Sequence, residues 1–146
     1  MKTSAQDFCR GFEMDKNRSE VYGTFTYAES LTYYDLLETE NTLKENLDKL
    51  FLGAGAEHLD FTPLGDMLMF QCAFEEYDSD LYRKLADKCA GFLPAKVSGR
   101  FLCLEKNLDT CDIFWIRHGE WQVMNFELPR KAPENTPVHM VKSVDK

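Results

Sequence analysis

Three apolar stretches near the C-terminus, separated by short polar turns, constrain the fold of this chain more than any other feature. Residues 99–105 (Gly-Arg-Phe-Leu-Cys-Leu-Glu), 111–117 (Cys-Asp-Ile-Phe-Trp-Ile-Arg) and 121–128 (Trp-Gln-Val-Met-Asn-Phe-Glu-Leu) are rich in strand formers. Asn107-Leu108-Asp109-Thr110 supplies turn chemistry between the first two. His118-Gly119-Glu120 makes a tight hairpin between the last two, with glycine where a positive φ is needed. Pro129 stops the third run. The pattern predicts a three-stranded β-meander.

Upstream, residues 21–27 alternate as a strand. Residues 67–74 (Met-Leu-Met-Phe-Gln-Cys-Ala-Phe) form a nearly continuous apolar run, which predicts a central strand buried on both faces. Leu43, Leu47, Leu50 and Phe51 form one helical stripe over residues 42–52, with Asn41 as N-cap and Gly53 suited to the left-handed position that ends a helix. Leu81, Leu85, Cys89 and Phe92 form a second stripe, capped by Asp78 or Ser79 and ended by Gly91 and Pro94. Residues 29–38 read either way; as a helix they would align Leu31, Tyr34 and Leu37. Residues 1–20 are polar, with a short helix over Asp7–Met14 that would align Phe8 and Phe12. From Arg130 onward, Pro133 and Pro137 argue for an extended tail. The expected architecture is one α+β domain over residues 21–129: a mostly antiparallel sheet with helices packed on one face. A chain of 146 residues leaves little room for a second domain.

The chain carries a formal net charge of −8, which disfavours direct binding to nucleic acid. The excess is concentrated. Residues 29–87 hold fourteen acids and four bases, a net charge of −10, whereas the remainder is +2. Five cysteines at irregular spacing, without a CxxC, read as reduced thiols. The N-terminus has no apolar signal-like core and no run approaches a membrane span, so a cytoplasmic location is expected.

The chemistries that need a fixed constellation lack their parts. Three separated histidines, His58, His118 and His139, give no paired zinc ligands. Cys103 and Cys111 sit among strand apolar residues, where thiols pack rather than react. No GxSxG, GxxxxGK[ST] or GxGxxG motif occurs. No cofactor is implied, and a non-enzymatic role is expected. Glu75, Glu76, Asp78 and Asp80 lie where a strand feeds a helix. That cluster reads as a solvated, dipole-complementing helix start, with a divalent-cation site in a small enzyme or ligand-binding protein as the alternative.

Two surfaces emerge as candidates for contact. The first is acidic: Glu75, Glu76, Asp78 and Asp80, with Asp35, Glu38 and Glu40 as a second group. An array of carboxylates can imitate nucleic-acid phosphates and attract a basic protein by steered, salt-sensitive association. The leading expectation is therefore an inhibitor of a basic, nucleic-acid-handling partner, in the manner of phage anti-defence or anti-CRISPR proteins. The second surface is aromatic. In residues 111–117, Ile113 and Trp115 share one strand face while Phe114 and Ile116 share the other. Either both faces are covered or one is an interface, and Trp115 with Trp121 would make the self-contact of a homodimer.

Overall fold

The computed structural model describes residues 18–141. Its elements follow the order β1 (Ser19–Tyr27), α1 (Tyr33–Gly53), β2 (Glu57–Pro63), β3 (Met67–Phe74), α2 (Ser79–Phe92), β4 (Val97–Glu105), β5 (Thr110–Arg117) and β6 (Glu120–Glu127). All six strands form one antiparallel sheet in the order β2-β3-β1-β4-β5-β6. The α+β class and the C-terminal meander match the expectation. The helix expected over Asp7–Met14 lies outside the described residues.

The core sits between the sheet and the two helices, and it is built from phenylalanine rings. Phe70 has Phe25, Phe51, Phe61 and Phe101 around it at centroid distances of 5.1 to 6.3 Å. Two glycines make this cluster fit. Gly23 lies opposite Phe70 and Gly99 opposite Phe25 in register. A Cβ on Gly23 would fall 2.0 Å from a Phe70 ring carbon, and one on Gly99 would fall 2.5 Å from a Phe25 ring carbon. Each glycine is thus the hollow into which a neighbouring ring packs.

Helix α1 begins eight residues before Asn41 rather than after it. Its N-cap is Thr32, whose hydroxyl accepts from the Asp35 amide at 3.2 Å. The buried stripe runs through Leu36, Glu40, Leu43, Leu47 and Phe51. Tyr34 points to solvent, so the alignment of Leu31, Tyr34 and Leu37 is not the one used. Glu40 interrupts the apolar pattern because it is buried, where its carboxylate accepts a 2.9 Å hydrogen bond from the Tyr27 hydroxyl. That pairing is tertiary and leaves no local trace.

Helix α2 starts as expected. The Asp78 carboxylate accepts from the Leu81 amide at 3.1 Å. At its far end the β5–β6 turn closes against it: Gly119 N–H donates to the Ala90 carbonyl at 2.9 Å, and His118 Nδ1 lies 2.7 Å from the Leu93 carbonyl. Helix α1 packs toward β2 and helix α2 toward β5 and β6, both on the same face of the sheet.

Strand β3 is not buried on both faces. Leu68, Phe70, Cys72 and Phe74 point into the core, whereas Met69 and Gln71 are exposed. Strand β2 was not expected at all. It is an edge strand with a register shift between Glu57 and Asp60, a positive φ at His58 and Pro63 at its end. These features blunt an edge against further pairing.

Among the described residues, Cys72, Cys89, Cys103 and Cys111 are free and buried. Cys72 and Cys103 flank Val21 across the sheet, and Cys89 faces inward from α2. Burial pushes the Cys72 and Cys89 thiols up to about 12 from 9.0. These thiols would ionise near 9 in the unfolded chain. Their neutral burial therefore stabilises the fold fully below that pH, and the contribution is lost as the pH rises toward 12. We expect the urea midpoint to be level from about pH 7 to 8.5 and to fall above about pH 9. In the same range, Cys72, Cys89 and Cys103 should resist a thiol reagent until the protein is denatured.

Candidate partner-docking surface

The face of the sheet opposite the helices is covered by no described element. Its residues follow from the register. One row across it reads Gln71, Tyr22, Leu102, Ile113, Met124. The next, toward the end where β1 finishes, reads Met69, Thr24, Arg100, Trp115, Gln122. The row on the other side reads Ala73, Glu20, Leu104, Cys111, Phe126. Tyr22, Met69, Trp115, Met124 and Phe126 are each 39 to 50% exposed, while Leu102, Leu104 and Ile113 are half-buried between them. Contiguous exposed apolar area of this kind marks an interaction site more often than single exposed apolar residues do.

A groove of about 560 Å³ crosses this face beside Thr26, Ser98, Arg117 and Gln122, and a second depression of about 280 Å³ continues it toward Tyr22 and Ile113. The two share Thr24, Arg100 and Trp115.

The structure separates the residues expected to act together. Trp115 stands on the open face, but Trp121 is on the other. Trp121 packs against Phe114 at 5.9 Å and donates its indole N–H to Asp87 on α2 at 3.0 Å. A two-residue turn pairs Arg117 with Glu120, so Ile116 meets Trp121 and Trp115 meets Gln122. The two indoles therefore have opposite strand parity: Trp115 belongs to the open face, and Trp121 borders the same groove from the other side of the β5–β6 pair.

The acidic residues are likewise divided. Asp35 and Glu38 are exposed near the start of α1, at the end of the sheet where β1 finishes. Glu75, Glu76, Asp78 and Asp80 lie at the other end, where β3 feeds α2. Strands of eight or nine residues put these ends roughly 26 to 30 Å apart. Glu40 is in the core and leaves the contact set. The outer surface of α2 mixes Asp80, Arg83, Lys84, Asp87 and Lys88, so the helical layer is not uniformly acidic. Exposed carboxylates instead line the outer face of α1, at Asp35, Glu38, Glu45 and Asp48, whereas Glu57 and Asp60 on β2 share the open face of the sheet with their register partners Ala73 and Gln71.

One polar cluster escaped the sequence reading. Asp112, in an apolar run, faces the core and is 2% exposed. Its carboxylate accepts from Ser79 at 2.7 Å and from Asn125 at 2.6 Å. Nearby, Tyr82 donates to Ser19 at 2.5 Å, and Ser19 to the Leu104 carbonyl at 2.9 Å. These bonds pin the first turn of α2 to β1 and β5, a positioning role. An aspartate on the inward parity of β5, with Asn125 opposite it in β6, was the available signal.

Among the described residues, no three His, Cys, Asp or Glu side chains are grouped so as to hold a metal ion. No described helix is long and apolar enough to cross a membrane. No family model, curated protein or solved structure matches the chain.

Proposed function

We propose that this chain is a non-catalytic interaction protein that docks a partner protein through the open face of its sheet. The observation that carries the reading is the extended apolar set Tyr22, Met69, Leu102, Leu104, Ile113, Trp115, Met124 and Phe126 on a face with no described cover. Aromatic residues, Met and Arg are the types enriched where proteins meet. Removing this area from water supplies the drive, and the rigid sheet supplies it without ordering a loop.

A second reading is favoured by the acidic outer flank of α1. Its carboxylates stand clear of the ion pairs Arg117–Glu120 and Arg130–Asp109, which lie in the C-terminal part of the chain. Such a flank would draw in a basic surface, as in an antagonist of a nucleic-acid-handling protein. One experiment separates the two. A photo-cross-linking amino acid is placed at Met124 in one variant and at Asp48 in another, in cells that make the chain. Adducts to a partner from position 124 support the sheet reading. Adducts from position 48 alone support the acidic antagonist.

A further inference from the structure

Arg100 places a positive charge in the middle of the open face. It lies on β4, an interior strand, and its cross-strand neighbours on that face are Thr24 and Trp115. Among the described residues no hydrogen-bond or ion-pair partner reaches its guanidinium. The other charges beside the groove are already engaged. Tyr22 donates to Glu20 at 2.6 Å, and Arg117 pairs with Glu120 at 2.6 Å.

This arrangement selects the occupant. Any partner that covers the apolar rows around Arg100 strips water from a cation, and an unpaired buried cation is strongly unfavourable. The partner must therefore bring an anion to that point. A carboxylate is the group on a protein that matches the guanidinium fork. A second copy of this chain is poorly suited. On its own open face, Glu20 and Glu120 already have partners, and Glu57 and Asp60 lie on the edge strand β2, three strands away from Arg100.

We propose that the groove around Arg100 and Trp115 binds an acidic, apolar segment of another protein: an Asp or Glu carboxylate on the Arg100 guanidinium, flanked by large apolar side chains over Trp115, Met69 and Ile113. The proposal rests on the open face being the docking surface, and it names the chemistry of what docks.

The test is selection of a displayed library of random short peptides on the full chain and, in parallel, on Arg100→Gln. Arg100 is exposed, so the variant should keep its fold, which a thermal melt verifies. Wild type should enrich peptides with Asp or Glu beside Leu, Ile, Phe or Trp. A synthetic representative should bind Arg100→Gln about tenfold more weakly, and its Glu→Gln or Asp→Asn twin should bind both proteins alike. Enrichment of purely apolar peptides, indifferent to Arg100, would overturn the anion site while sparing the docking reading. Enriched peptides that still bind Met69→Lys/Met124→Lys would sink both. Failure to enrich any peptide, or a dimer by light scattering with Trp115 shielded in it, also overturns the proposal.

Discussion

Replacing Gly23 with alanine should destabilise the fold by about 3 kcal/mol or more, a large effect for one methyl group. The added Cβ would fall 2.0 Å from the Phe70 ring. The ring cannot swing away, because Phe25, Phe51, Phe61 and Phe101 surround it. Either Phe70 leaves its rotamer or β1 and β3 move apart, and both break a densely packed layer. For a chain of this size the melting temperature should drop by roughly 6 to 12 °C. Entropy argues the other way, since alanine restricts the unfolded chain and would stabilise an unhindered site. The sign of the change thus reports the steric fit. Gly91 is the internal control. It lies in α2 with nothing within 4 Å of a built Cβ, so Gly91→Ala should stabilise by roughly 0.5–1 kcal/mol. A Gly23→Ala variant as stable as wild type would mean that Phe70 does not pack over that glycine.

The second large effect concerns binding. Met69→Lys together with Met124→Lys should weaken partner docking at least about 100-fold, or roughly 2.7 kcal/mol. The two methionines lie on opposite sides of the apolar rows, 41% and 50% exposed. An ammonium at either position would have to be desolvated where an apolar methionine was. The free protein should be nearly unaffected, because exposed substitutions away from special features usually cost less than about 0.5 kcal/mol. Normal stability with lost docking separates this surface from the core beneath it. Docking that survives the double substitution while failing after charge reversal of Glu45 and Asp48 would move the interface to the acidic flank.

Much of this fold was legible because its strands obey local rules. Turn residues at 107–110 and 118–120 bracket apolar runs, and no distant partner was needed to read the meander. Strand parity across the last hairpin was not legible: a three-residue turn over His118-Gly119-Glu120 would put Trp115 and Trp121 on one face, and the observed two-residue turn, with Arg117 opposite Glu120, shifts the register by one and separates them. The first two turns of α1 were hidden for a physical reason. Glu40 breaks the stripe, and its burial depends on Tyr27, a residue from another element. Strand β2 was hidden because an edge strand with a shifted register carries little alternation. The charge count pointed to residues 29–87, but composition cannot say where antiparallel elements put their ends. The opposed directions of α1 and α2 carry Asp35 and Glu38 to one end and the Glu75–Asp80 group to the other. The open face was visible only as an ambiguity, two apolar sides of one strand, until the helices were seen to cover just one of them.

The claim that the open sheet face docks a partner is tested most directly by methyl NMR. Methionine ε-methyl groups are labelled, and the partner recovered by cross-linking is titrated to saturation. Met69 and Met124 should shift or broaden on binding, while Met140, in the exposed tail, should not. A saturated complex in which the Met69 and Met124 signals stay where they were would contradict the account.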